Sequence, residues 1–342
     1  MALGNRWWLA GGLALAFGLR AVWRRWRRVD LRGRVVLVTG GSRGLGFVLA
    51  RTLLARGALV AVCGRDGATL ERARRNLRRG GEVLAIQADL SHPRGCHEVV
   101  NQVLRHWGRV DVLINNAGNI TVGPVTHMTK EDWQDQLALH FWAPVQCIEA
   151  VLPDMLERRT GRIVNISSIG GRIALPHLVP YSASKFALTG LSRGLRVELA
   201  RLGVGVTTVY PGAMNTGSPL HVQYKGRSQE EQAWFFAADT LPLLSLPVDQ
   251  AARRIVSAIE HGEAEVILGL PARLGILAHD LWPSLALGVL SAVHRLLPAP
   301  GGQGTAGAYG RDMQRLDRRA SPGWPIRRGL RAGRETNQTN GV

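Results

Sequence analysis

Cysteine is scarce. The 342 residues hold three, Cys63, Cys96 and Cys147, and none belongs to a Cys-x-x-Cys pair. An odd, scattered set argues against a disulfide framework or a structural zinc site and fits buried thiols in a reducing compartment. Lysine is nearly absent as well, so most of the positive charge is arginine. Lys and Arg total 43 against 25 Asp and Glu, a formal net charge of +18. A basic balance can serve nucleic acid, an anionic membrane surface or an anionic ligand. No zinc-finger or RNA-recognition signature accompanies the arginines, so no nucleic-acid partner is expected. The segment His97–Asn101 (HEVVN) lacks the second histidine of a zinc protease, and no Gly-x-Ser-x-Gly elbow occurs, so no metal and no nucleophilic serine are expected. There is no internal repeat.

What is present divides the chain into four parts. Within residues 1–30, Trp7–Trp23 is apolar except for Arg20, and Arg24, Arg25, Arg27 and Arg28 follow it. Aromatic edges and a basic flank suit a membrane anchor, which the positive-inside rule orients with the rest of the chain in the cytoplasm. An interfacial amphipathic helix is the rival reading; a signal peptide would carry its charge before the apolar stretch. Residues 31–270 alternate short β-branched runs with helical periods. RVVLVTG, ALVAVCG, EVLAIQADL, VDVLINNAG, GRIVNISS, VGVTTVYPG and EVILG are the runs, which predicts a Rossmann-type α/β domain: a doubly wound parallel sheet of about seven strands with helices on both faces. Residues 271–298 are apolar but interrupted by Arg273, Asp280, Pro283 and Arg295, which reads as an amphipathic segment packed on the domain or on a partner, or as a second membrane contact. In residues 299–342 Gly, Pro and Arg dominate, including Arg311, Arg315, Arg318, Arg319, Arg327, Arg328, Arg331 and Arg334, and a disordered basic tail is expected.

Thr39–Gly46 (TGGSRGLG) lies between a strand and a helix. Gly40, Gly44 and Gly46 let the backbone approach a pyrophosphate, and the free N–H groups and positive dipole end of the following helix attract it. NAD-selective sites usually carry an acid at the end of the second strand; here Gly64 stands there, Arg65 follows, and Arg43 lies in the loop itself. Two guanidinium groups suit a 2′-phosphate, so NADP(H) is the expected cofactor. Tyr181 and Lys185, in YSASK, share one helical face. A nearby ammonium and an oxidised nicotinamide would favour the phenolate and lower the tyrosine pKa. Ser168, at the carboxyl end of the NISS strand, is placed to hold a carbonyl or alcohol oxygen.

Taken together, TGGSRGLG, ADL at Ala88–Leu90, NNAG at Asn115–Gly118, NISS at Asn165–Ser168, YSASK and PGAMNT at Pro211–Thr216 stand in one order over Leu31–Gly269. In that order and spacing the chain resembles the short-chain dehydrogenase/reductase family, and its apolar N-terminal segment resembles the anchor of the membrane-bound members. The resemblance implies that Tyr181 is the general acid/base, that Ser168 rather than Ser167 binds the substrate oxygen, and that Lys185 orients the cofactor and a proton relay. It implies a dinucleotide site made of Gly40, Ser42, Arg43, Gly44, Leu45, Gly46, Arg65, Asp89, Leu90, Asn116, Ala117, Gly118, Pro211, Gly212 and Thr216 together with Tyr181 and Lys185. One departure stands out: His140, in HFWAP, occupies the place of an asparagine that holds a relay water in this family. Its imidazole can relay protons itself, or its backbone can serve while the side chain is incidental. The resemblance also implies a homodimer or homotetramer and a substrate lid between Thr216 and Pro247. That lid is rich in apolar residues (Trp234, Phe235, Phe236, Leu241), which with the apolar N-terminus favours a steroid-, retinoid-, sphingoid- or acyl-like ketone or alcohol. The competing expectation is a catalytically weak NADP(H)-binding membrane scaffold or regulatory protein.

Overall fold

A computed structural model describes residues 28–241, 245–316 and 335–337. The expected N-terminal anchor, Trp7–Trp23, lies outside the described residues. Among those residues no helix is long and apolar enough to cross a membrane.

Seven parallel strands form the central sheet: β1 (Val35–Val38), β2 (Leu59–Gly64), β3 (Val83–Gln87), β4 (Val112–Asn115), β5 (Gly161–Ile166), β6 (Val204–Pro211) and β7 (Glu265–Leu268). They are the seven β-branched runs of the sequence. Their spatial order is 3-2-1-4-5-6-7, so the winding reverses between β1 and β4. Ligand sites of open α/β sheets lie at such a reversal, beyond the carboxyl ends of both strands. Strands β1 and β4 are buried along their whole length, as expected when helices cover both faces of a sheet.

The two faces carry separate apolar cores. Helices α1 (Gly44–Leu54), α2 (Gly67–Leu77) and, later in the chain, α8 (Val248–His261) pack on one; α3 (Pro93–Trp107), α5 (Ala143–Glu157) and part of α6 (Val179–Leu199) pack on the other. Local chemistry sets several ends. Asp66 caps α2 by accepting the Thr69 N–H at 2.7 Å, Pro93 opens α3, and Gly108 closes it at φ 74°. The helical stretch expected from Asp132 to Glu157 is two helices, α4 (Lys130–Leu137) and α5, joined by a π-helical turn over Ala138–Trp142. His140 lies in that turn.

Helix α7 (Ser228–Thr240) lies within the lid segment. The apolar stretch after β7 is a helical hairpin, α9 (Leu270–Leu281) and α10 (Pro283–His294), broken at Trp282–Pro283 because Pro283 has no N–H to continue the ladder. The expectation of a disordered tail needs correction for part of its length. Gly307–Tyr309 pairs antiparallel with Gln223–Lys225, a short helix covers Gly310–Leu316, and Thr336 and Asn337 are buried. Backbone pairing to the lid supplies what the tail's sparse apolar content cannot.

Candidate active site

Ser168, Tyr181 and Lys185 converge at the carboxyl end of β5. All three are half-buried or buried. The Ser168 Oγ accepts the Gly170 N–H at 3.0 Å, and it shares a hydrogen bond with Tyr181. Ser167 points the other way: its Oγ donates to the Lys185 carbonyl at 3.1 Å and meets Thr189 Oγ1 at 2.9 Å. Geometry therefore separates the two adjacent serines. Gly170 makes room for the ring, since a Cβ there would stand 3.1 Å from Tyr181 Cε1.

Lys185 Nζ donates to the Ile166 carbonyl at 2.9 Å and lies 5.8 Å from the Tyr181 ring centroid. Burial lowers its pKa to about 7. Burial also raises the tyrosine above its ordinary value, against the pull of the Ser168 hydrogen bond. This differs from the expectation of a lowered tyrosine pKa. The protein surroundings alone keep the phenol protonated, so a phenolate depends on charge brought by the bound cofactor.

His140 is 1% exposed, and both ring nitrogens are engaged. Nε2 accepts the Asn119 N–H at 3.2 Å, and Nδ1 lies 2.8 Å from Ser184 Oγ. An acceptor at Nε2 assigns the proton to Nδ1. Ser184 in turn donates to the Tyr181 carbonyl at 2.8 Å. Burial, then the Lys185 charge, holds the imidazole pKa well below its usual value, so the ring is neutral. A Cβ on Gly118 would stand 2.9 Å from His140 Nε2, so the glycine of NNAG is what lets the ring in.

The glycine loop is tied to β4. Asn116 Nδ2 donates to the carbonyls of Thr39 at 3.0 Å and Gly40 at 3.2 Å, and Thr39 Oγ1 accepts the N–H groups of Asn116 and Ala117. A Cβ on Gly46 would collide with the Gly40 carbonyl and Asn116 Nδ2, so only glycine fits there. Leu45 and Leu90 are buried behind the loop. Asp89 is partly desolvated, but the Ser91 N–H and hydroxyl and the Arg65 charge outweigh that and keep its carboxylate below the usual range. Ser42, Gly118, Pro211, Gly212 and Thr216 stand at or just beyond the carboxyl ends of β1, β4 and β6.

At its outer end the site gathers arginines. Burial first, then Arg311 and Arg65, disfavour the charged form of Arg43. Arg65 is itself mostly exposed, 4.0 Å from Asp89. The nearest acid, Asp66, is engaged as the α2 cap. Sequence reasoning missed Arg311, which reaches this point through the tail helix. It also missed the pair beneath the lid: His177 Nδ1 lies 2.8 Å from Glu231 Oε1, the two side chains are 1% and 0% exposed, and Trp234 Nε1 donates to the same carboxylate at 2.6 Å. His177 adopts φ 60°, an outlier for a non-glycine residue beside a site.

The arrangement fits a nicotinamide dinucleotide: a glycine loop at a helix N-terminus, a cationic outer end, and a Ser–Tyr–Lys group at the inner end. Among the described residues no cluster of His, Cys, Asp and Glu suits a metal ion. The short chain dehydrogenase family profile matches residues 34–223, and the chain belongs to that family. It is an oxidoreductase fold that acts on CH–OH or C=O groups with a nicotinamide cofactor. It is 31% identical over 296 residues to dehydrogenase/reductase SDR family member 7B of Danio rerio, covering 83% of this chain and 93% of that protein. It is 36% identical over 187 residues to the 3-ketodihydrosphingosine reductase of Bacteroides thetaiotaomicron, covering 55% of this chain and 66% of that one. A metagenomic short-chain oxidoreductase solved in complex with NADP superposes with a TM-score of 0.57 at 30% identity, covering 70% of this chain and 99% of that structure.

Proposed function

We propose that the chain is an NADP(H)-dependent oxidoreductase that interconverts a carbonyl and a secondary alcohol on a lipophilic substrate at a membrane surface. The observation that carries the reaction is the convergence of Ser168, Tyr181 and Lys185 beside a glycine loop. A bound nicotinamide supplies or accepts the hydride. The protein's part is the oxygen and the proton. Ser168 holds the substrate oxygen by its hydroxyl, and the Tyr181 phenol gives that oxygen a proton on reduction or takes one on oxidation. Lys185, anchored on the Ile166 carbonyl, sets the potential felt by the phenol and faces the site where ribose hydroxyls would lie. His140 positions Tyr181 through Ser184.

Arg43, Arg65 and Arg311 support the phosphorylated cofactor. Their mutual repulsion is relieved by a dianion, although Asp66, Asp89 and Asp312 offset part of their charge. The NADP of the metagenomic relative agrees with this reading. A lipophilic substrate is supported by the aromatic lid residues Trp234 and Phe235, which pack with Val122, Leu178 and Tyr224 beside Tyr181. The sphingoid ketone in the name of the Bacteroides relative belongs to the same chemical class. The apolar Trp7–Trp23 segment supports membrane association with the domain on the cytoplasmic side. The test is a panel of long-chain, steroid and retinoid carbonyls with detergent-solubilised protein, following NADPH loss. Turnover of only small polar carbonyls would overturn the substrate class. A higher kcat/KM with NADH would overturn the cofactor.

A further inference from the structure

We propose that the α9–α10 hairpin is a lipid-docking element whose outer face enters the headgroup–acyl boundary of an anionic bilayer. Helix α10 has no buried residue. Leu270, Leu274, Leu277 and Leu281 form one exposed stripe on α9, and Leu285, Val289, Val293 and Leu296 continue it along and just beyond α10. Trp282, 60% exposed, stands at the tip between the helices. Such a contiguous apolar surface requires a partner.

Charge decides which partner. Asp280 is the hairpin's one acid, and it is paired with Arg172 at 2.6 Å. Arg273, His279, His294 and Arg295 supply basic groups around the apolar stripe. These groups, on a chain of net charge +18, attract an anionic lipid surface. A tryptophan tip, an apolar stripe and basic flanks are what an interfacial helix needs.

The inner face of the hairpin couples docking to the site. Ile276 is buried against Ile173 and Tyr210, and a Cβ on Gly275 would meet Ile169 and Ile173 in ordinary contact. Ile169 and Ile173 belong to the turn that follows Ser168, and Tyr210 lies on β6. The His294 ring lies 5.2 Å from that of His177, on the segment preceding Tyr181. A docked hairpin therefore sets both flanks of the site at the lipid surface. Only this last step rests on the proposed lipophilic substrate.

The native thiols are buried, so a cysteine introduced at Leu285 can be labelled selectively. Full-length L285C and, as control, E71C on the exposed face of α2 are labelled with an environment-sensitive fluorophore. They are then mixed with vesicles of phosphatidylcholine containing a minority of phosphatidylglycerol. Quenching by a shallow spin-labelled lipid is expected to be several-fold stronger at 285 than at 71. Equal quenching at the two positions overturns the proposal. So does a concentration-dependent blue shift at 285 without vesicles, which would assign the face to a second copy. Docking without turnover of any lipophilic carbonyl would remove the substrate reading and leave the docking intact.

An independent observation concerns the C-terminus. The Thr336 carbonyl accepts the Gly44 N–H at 2.9 Å, at the N-terminus of α1. Thr336 Oγ1 donates to the Thr216 carbonyl at 2.6 Å, and Asn337 Nδ2 donates to the Ser42 carbonyl at 2.6 Å. Arg72 Nε donates to Asn337 Oδ1 at 3.0 Å. The tail thus bridges the glycine loop and the PGAMNT segment, and a carbonyl takes the amide that an anion at this helix end would use. We infer that Thr336 and Asn337 form an autoinhibitory plug that competes with the dinucleotide. The inference rests on reading this loop as the cofactor site.

Deletion of residues 335–342 is expected to tighten NADPH binding several-fold, read by the fluorescence of the bound nicotinamide. A peptide of residues 330–342 should restore the weaker affinity competitively. N337A should give part of the gain without truncation. Unchanged or weaker binding after deletion overturns the plug. Absence of NADPH binding by the full-length and the truncated protein alike would overturn the cofactor reading itself, and the plug with it.

Discussion

The imidazole of His140 stands edge-on to the ring of Tyr181, with 5.4 Å between centroids and 89° between planes. The contact joins the one departure from the family pattern to the proposed acid/base. Because burial keeps the imidazole neutral, it steers the tyrosine by packing and by the Ser184 bridge rather than by charge.

This has a consequence for stability. A histidine whose folded pKa lies below its unfolded value of about 6.5 binds fewer protons folded than unfolded. Stability is full above about 6.5 and is lost as pH falls below it. The Tm of the wild type should therefore drop on acidification below that point, and H140N should show a flatter Tm–pH curve. The limbs of the kcat/KM–pH profile should keep their positions in H140N, with a lower rate from a misplaced Tyr181. A shifted limb would instead make the imidazole a proton carrier.

Tyr181→Phe removes the proposed proton donor and keeps the ring. Turnover is expected to fall by about 10²–10⁴-fold, the usual contribution of a positioned acid/base. NADPH affinity by fluorescence titration should change little. A residual rate near wild type would move the proton to another group.

Replacing Arg43 by Glu puts a negative charge where a 2′-phosphate is proposed to sit. One charge-assisted hydrogen bond is worth about 1.5–3 kcal/mol, or roughly 10- to 100-fold in kcat/KM for NADPH. The value for NADH should move far less, so the ratio of the two is the quantity to measure. Equal losses with both cofactors would place Arg43 at the pyrophosphate instead.

Glu231 lies fully buried between His177 and Trp234. E231A leaves both partners without their acceptor, at a cost of about 1–3 kcal/mol for each buried donor left unpaired. In a domain of this size each kcal/mol lowers Tm by about 2–4 °C. Thermal unfolding of E231A and E231Q reads this, and the glutamine variant should recover part of the loss by accepting from Trp234.

The sheet was legible in the sequence because its inner strands are buried on both faces. A doubly buried strand must be a short run of apolar, mostly β-branched residues, and VVLV, LVAVCG and VLIN announce themselves without reference to anything distant. Glycine, tyrosine and lysine signals were legible for a related reason: the Gly46 contact admits no Cβ, and a four-residue spacing puts Tyr181 and Lys185 on one face of α6. Long-range pairing decided the rest. Whether Ser167 or Ser168 faces the site depends on hydrogen bonds to Lys185, Thr189 and Gly170. Whether His140 is charged depends on a burial that Asn119 and Ser184 create from other segments. The described part of the tail owes its place to strand pairing with the lid and to the amide of Gly44. Composition describes what a segment can bury within itself, and it carries no information about a partner hundreds of residues away.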